Sequence, residues 1–319
     1  MMKLITMRIC CLLAVWAPVL RLLLWPAPVH AQFIYVTNNG AITITQYNDS
    51  GGMPTNGIVV IPSVINNLPV TTIGSHAFYN TPALTNVVIP DSITNIGFDA
   101  FEYCVRLANV VIPNSVQSIG VAAFYNSGLT NVTLPNGLTI LANGVFEYCF
   151  NLQSIAVPDT VTSIGNSAFL QCGLTRATLG RIVTNLGADV FNGCPHLTGV
   201  FFLGNAPTTN VNEFGGSPQA VVYYLPGTSG WDTNFAGAPA LLWNPQMQTG
   251  DGSFGVGALG VGFNIVGTAN IPIVLEACTS LGAPVWEPLL TTNLTGGSVF
   301  FADLGWASYP NRYYRLRSP

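Results

Sequence analysis

Two glutamates invite a catalytic reading. Glu102 and Glu147 each lie in a Phe-Glu-Tyr-Cys tetrapeptide. Two coils apart in a strand stack, their backbones would stand about 9–10 Å apart, at the upper edge of the carboxylate separation of about 6.5–9.5 Å used by inverting glycosidases. The same register is filled elsewhere by Tyr125, Leu170 and Asn192, so the pair reads as solvated repeat positions and not as a dyad. Gly255-x-Gly257-x-x-Gly260 spells the dinucleotide fingerprint, which needs a strand before it and a helix after it. Here it follows Asp251-Gly252-Ser253 and runs into Gly262 and an apolar strand, as a flexible linker would. Cys104, Cys149, Cys172 and Cys194 recur at one slot. Stacking at the strand spacing of about 4.7–4.9 Å permits a disulfide by distance. The dihedral is poorly served by parallel stacking, and the cysteines beyond residue 31 are odd in number. They read as buried thiols packing as small hydrophobes. His76 and His196 are isolated, and no G-x-S-x-G or H-E-x-x-H occurs. The expectation is no catalytic residue, no metal site, no cofactor and no enzyme.

What positions these residues is a period. Phe78, Phe101, Phe124, Phe146, Phe169 and Phe191 follow one another at steps of 23, 23, 22, 23 and 22 residues. Leu84, Leu107, Leu129, Leu152, Leu174 and Leu197 keep the same beat, as do Ile89-Pro90, Ile112-Pro113, Leu134-Pro135 and Val157-Pro158. Such self-similarity means stacked copies of one unit, each too small to bury its own apolar face.

In one copy, Leu84-x-x-Val87-x-Ile89 matches the repeat strand L-x-x-L-x-L. Val87 and Ile89 share a face by the two-residue period. Pro90 has no N–H and ends the ladder. Ile93, Ile96, Ala100 and Phe101 complete the inward set. Gly97, which recurs as Gly74, Gly120, Gly165 and Gly187 with Ala142 in one copy, suggests a tight corner, open to a positive φ.

The pattern I-P-x-x-(I/V)-x-x-I-G-x-x-A-F-x-x-C-x-x-L resembles the BspA-like leucine-rich repeat of bacterial surface proteins. The resemblance covers about six copies over residues 58–203. It implies a parallel-strand solenoid and a role in adhesion or binding to other proteins or cells, and it carries no catalytic residues.

Before the repeats, Phe33–Val36 and Ala41–Tyr47 flank Asn39-Gly40 and read as a β-hairpin that caps the solenoid within residues 32–57. Residues 204–250 read as a divergent capping segment, with a last strand at 221–225 and Trp231, Phe235 and Trp243 closing the end. Residues 251–319 read as a small antiparallel β-domain, resembling the terminal β-modules of exported bacterial proteins. The fold class expected is therefore a β-rich repeat solenoid followed by a small antiparallel domain.

Residues 1–31 read as a signal peptide: Lys3 and Arg8, the apolar run Ile9–Leu20, then Val29-His30-Ala31. The run is about half the length needed to span a bilayer, so no transmembrane helix is expected after cleavage. The remainder carries six arginines and thirteen acids, 6 − 13 = −7, with no basic stripe for nucleic acid. The product is expected to be secreted or held at the cell surface, as a monomer.

In a leucine-rich strand the residues between the inward ones face the concave surface. One row reads Asn86, Asn109, Asn131, Ser154, Arg176, Gly199; a second reads Val88, Val111, Thr133, Ala156, Thr178, Phe201. Amides, hydroxyls and small apolar groups with one charge suit a protein or glycan partner. Two expectations follow: a binding or adhesion module using this face, or a structural envelope or matrix component attached through the C-terminal domain.

Overall fold

The computed structural model describes residues 32–48, 56–209, 213–257 and 260–318. The expected signal segment, 1–31, and residues 49–55 of the expected cap lie outside the described residues. No helix among the described residues is long and apolar enough to cross a membrane.

The repeats form a parallel β-solenoid in which each coil contributes two short strands and a turn-rich third side. The first sheet stacks Ile58–Val60, Asn86–Val88, Asn109–Val111 and Asn131–Thr133, then Ser154–Ala156, Arg176–Leu179, Gly199–Phe202, Val222–Tyr224 and Ala238–Leu242. The second stacks Asn95–Ile96 and Ser118–Ile119, then Ile140–Leu141, Ser163–Ile164 and Asn185–Leu186. On the third side, backbone N–H groups bond to the next coil, as from Phe78 N to Ala100 O at 2.8 Å and from Phe101 N to Ala123 O at 2.7 Å. Phe33–Asn38 and Ala41–Tyr47 pair antiparallel, and the latter runs parallel to Leu68–Ile73. The hairpin thus adds itself to the second sheet.

The core is one column of rings. Tyr47, Phe78, Phe101, Phe124, Phe146, Phe169, Phe191 and Phe214 stack at 4.9–5.8 Å, with planes within 16° of parallel. The six repeat phenylalanines are fully buried. Burying such a ring is worth about 1.5–3 kcal/mol, and each ring needs its neighbours above and below to achieve it.

The cysteine slot has a polar reason that the reading as packing alone lacked. Sγ of Cys104, Cys149, Cys172 and Cys194 donates to the carbonyl of Phe78, Phe124, Phe146 and Phe169 at 3.0–3.2 Å. Ser217 Oγ does the same to Phe191 O at 2.8 Å. All five cysteines among the described residues are free and buried. The slot selects a small side chain with a donor.

The repeat glycine also corrects its expectation. Gly97, Gly120 and Gly165 do not have positive φ. They permit close approach: a Cβ at Gly97 would meet Gly74 C and Ser75 N at 2.6 Å, and one at Gly120 would meet Phe98 N at 2.5 Å. Ala142 occupies this slot in one coil. There the second-sheet ladder is interrupted, since no backbone hydrogen bond among the described residues joins Ser118–Ile119 to Ile140–Leu141. The first sheet breaks one coil later, between Asn131–Thr133 and Ser154–Ala156. Residues 131–141 therefore pair with the preceding coil on one face and with the following coil on the other. Ala142 thus occupies the glycine slot at the coil where the second-sheet ladder stops.

Five C-terminal strands, Gly260–Val266, Pro272–Cys278, Glu287–Asn293, Ser298–Asp303 and Tyr313–Arg317, pair antiparallel in two sheets. Gly255–Gly257 is not a linker. It is a strand paired with Gly260–Val266. The domain rests on the end of the solenoid: Phe201 and Tyr223 share a buried cluster with Phe263, Ile273 and Leu275. Trp243 Nε1 donates to Pro272 O at 2.8 Å.

Candidate functional site

The two sheets carry similar outward residues but use them differently. On the second sheet the row closes on itself. Ser118 Oγ donates to Asn95 Oδ1, Asn185 Nδ2 to Ser163 Oγ at 3.0 Å, and Thr208 Oγ1 to Asn185 Oδ1 at 3.2 Å. On the first sheet, Asn86, Asn109 and Asn131 stand directly side by side in register. The amides of Asn86 and Asn131 and the hydroxyl of Ser154 have no side-chain hydrogen bond among the described residues. Asn109 Oδ1 accepts only a long 3.5 Å bond from Thr130. This row presents free donors and acceptors, beside an exposed Val88, Val111 and Thr133.

Where the first-sheet ladder breaks, the face opens into a cleft of about 340 Å³ lined by Asn131, Thr133, Asn136, Ser154 and Ala156. Strand edges that would bond to one another are parted there, so backbone groups join the side chains in the lining.

The far end of both rows is not open. Phe201 is 5% exposed, stacks on Tyr223 at 4.8 Å and lies against the C-terminal domain. Gly199 is buried as well. The alternation that places Phe201 outward is right, but outward at that coil means beneath the C-terminal domain. Arg176 and Thr178 are half-buried at its margin. Burial, then the nearby Arg317, lowers the pKa of the Arg176 guanidinium.

Glu102 and Glu147 lie on the third side and are half-buried, not fully solvated. Burial, then the hydrogen bond its protonated form donates to Asp99, pushes Glu102 up to about 7. Burial raises Glu147. Asp99 faces His76 at 3.4 Å and bonds to Glu102, so Glu102 belongs to a local polar network. Among the described residues no three His, Cys, Asp or Glu side chains gather as a metal site would require.

One feature escaped the sequence reading. Tyr79, Tyr103, Tyr125 and Tyr148 form an edge-to-face row at 5.2–5.9 Å along the third side. They stand one or two residues after the repeat phenylalanine in alternation, at steps of 24, 22 and 23. That irregular spacing hid the row, although the recurrence of tyrosine just after Phe was a usable signal.

The chain matches the model of the BspA type leucine rich repeat region over residues 71–198, in 6 copies. It is similar to the crystal structure of a leucine-rich repeat protein of T. pallidum, at 30% identity and a TM-score of 0.56, covering 60% of this chain and 88% of that one. It is also similar to a leucine-rich cell surface protein of Faecalibacterium prausnitzii at 29% identity, with a TM-score of 0.42, covering 54% of this chain and 53% of that one. No curated protein matches the chain. With its repeats, register and phenylalanine column in agreement, the chain belongs to the BspA-type leucine-rich repeat proteins.

Proposed function

We propose that this is an exported, non-catalytic repeat protein that binds a protein or glycan partner through the open part of its first sheet. The observation that carries this reading is the contrast between the two outward rows. The second sheet's Asn, Ser and Thr side chains bond to one another, which is what residues kept for solubility and edge satisfaction would do. The first sheet's row of Asn86, Asn109, Asn131 and Ser154 leaves its polar groups unspent beside apolar Val88 and Val111. Uncharged donors and acceptors interleaved with apolar patches are the makings of a protein or sugar interface. Export rests on the N-terminal signal pattern, and adhesion is the role that such a surface would serve outside the cell.

The test is capture of glycans and of matrix or host proteins by the intact chain and by an Asn109→Ala/Asn131→Ala variant. Both positions are exposed on regular strands, so the variant keeps its fold. Specific capture that disappears in the variant supports the reading. Capture that persists moves binding off this face.

A further inference from the structure

Where the C-terminal domain meets the first sheet, a cleft of about 370 Å³ is lined by Thr175, Arg176, Thr198, Gly199, Tyr223 and Asn293, with Phe201 and Pro272 at its walls. Residues from both parts of the chain build it. Arg176 is half-buried there, and among the described residues no carboxylate pairs with it. The arginine ion pairs are instead Arg181–Asp159, Arg312–Asp303, and Arg315 and Arg317 with Glu276. Arg317 adds a second positive charge close enough to depress the basicity of Arg176. A partly desolvated guanidinium without a counter-ion is costly, and an incoming anion would relieve that cost. Gly199, directly beside Arg176 in register, lets two rings form the floor: a Cβ there would meet Phe201 at 3.0 Å and Tyr223 at 3.3 Å.

The neutral lining narrows the anion. Thr175 Oγ1 already donates to Gln153 O at 3.0 Å, and Thr198 Oγ1 to Thr175 O at 3.1 Å. Their hydroxyl protons are used, so they offer lone pairs and need donors on the ligand. A sulfate or a bare carboxylate brings acceptors only, and a phosphate has at most one or two P–OH donors set tightly around the charge. A sugar carrying one carboxylate brings both: an anion for the fork of Arg176 and hydroxyl donors for Thr175 and Thr198. Asn293 can give or accept.

We propose that this junction cleft binds an acidic sugar residue of the uronic-acid type, its carboxylate held by Arg176. The site shares Arg176 with the proposed binding face and in that respect rests on that reading, but its ligand contacts lie at the junction and not along the asparagine row.

The experiment is titration of the intact chain with an oligogalacturonate, with the same oligosaccharide as its methyl ester, and with a short peptide ending in a free carboxylate. The chains compared are the parent, Arg176→Gln, and Asn109→Ala/Asn131→Ala. Saturable binding of the oligogalacturonate is expected. Esterification and Arg176→Gln should each weaken it by about tenfold or more, as loss of a charge-assisted hydrogen bond does. Far-ultraviolet circular dichroism and an unchanged melting point establish that Arg176→Gln is folded. No binding, binding indifferent to the ester or to Arg176→Gln, or equal binding of the peptide carboxylate would each overturn the proposal. The asparagine variant separates the two readings. If it loses partner capture but keeps oligogalacturonate binding, both stand as separate contacts. If it keeps capture, the face reading fails whatever the cleft does.

Discussion

Changing Gly97 to alanine tests why the coils stack as closely as they do. The added Cβ would stand 2.6 Å from Gly74 C and from Ser75 N, both backbone atoms that cannot swing aside. Carbon contacts are most favourable at about 3.5–4.0 Å, so the coils must part locally by about 1 Å. The bond from Gly97 N to Ile73 O, now 2.8 Å, would then lie outside hydrogen-bonding range. Overpacking costs about 1–3 kcal/mol and the lost bond about 1. The φ at Gly97 is not positive, so alanine gains back about 0.4–1 kcal/mol from a stiffer unfolded chain. The net is a loss of about 1–3.5 kcal/mol, a fall in Tm of about 2–14 °C at 2–4 °C per kcal/mol. Thermal unfolding followed by circular dichroism reads the fall, and hydrogen exchange locates it in the second sheet. The reverse change, Ala142→Gly, should let residues 131–141 settle against the preceding coil and raise amide protection at Ile140 and Leu141. If Gly97→Ala melts like the parent and Ala142→Gly leaves that exchange unchanged, the close-approach account of the glycine slot and of the interrupted ladder is wrong.

Three further outcomes follow from the core and the C-terminal domain. Cys172→Ser keeps the donor to Phe146 O and should melt near the parent, while Cys172→Ala should lose about 1 kcal/mol with that bond. Burial raises the thiols of Cys104 and Cys194 to about 12 and Cys149 to about 11. A thiol-alkylating reagent at pH 8 should therefore label them only after unfolding, because the thiolate is the nucleophile. Glu276 is buried against Arg315 and Arg317. Burial opposes its ionisation, but the two arginines prevail and hold its pKa below the ordinary 4.5. A depressed folded pKa gives stability that is present above about 4.5 and lost as pH falls through the folded value. The C-terminal domain should melt at lower temperature below pH 4, and Glu276→Gln should flatten that dependence.

The repeat was legible because every coil repeats the same requirement. Phenylalanine, leucine and the x-Pro pair each face the same neighbours in every copy, and a period survives in the sequence when the environment is periodic. The alignment of Asn86, Asn109 and Asn131 in one row was legible for the same reason, but not that their amides stay unbonded. What broke the period was harder to see. Phe201 sits in an outward register but is covered by a domain some sixty residues further along the chain, and no local pattern encodes that docking. Gly97 was read as a corner because glycine serves both for positive φ and for close approach, and only the distance to Gly74 decides between them. The cysteine slot looked apolar because a thiol packs like a small hydrophobe. Ser217 donating from the same position shows the polar half of its role. The significance of Ala142 emerges only from the interrupted ladder beside it.

Binding through the first sheet requires its unbonded amides to form the contact face. The most direct measurement is capture of glycans and of matrix or host proteins by the intact chain, beside its Asn109→Ala/Asn131→Ala variant and a matched second-sheet variant, Asn95→Ala/Asn185→Ala. Specific capture should be lost in the first variant and retained in the second. Capture lost equally in both, or retained in both, would contradict binding through this face.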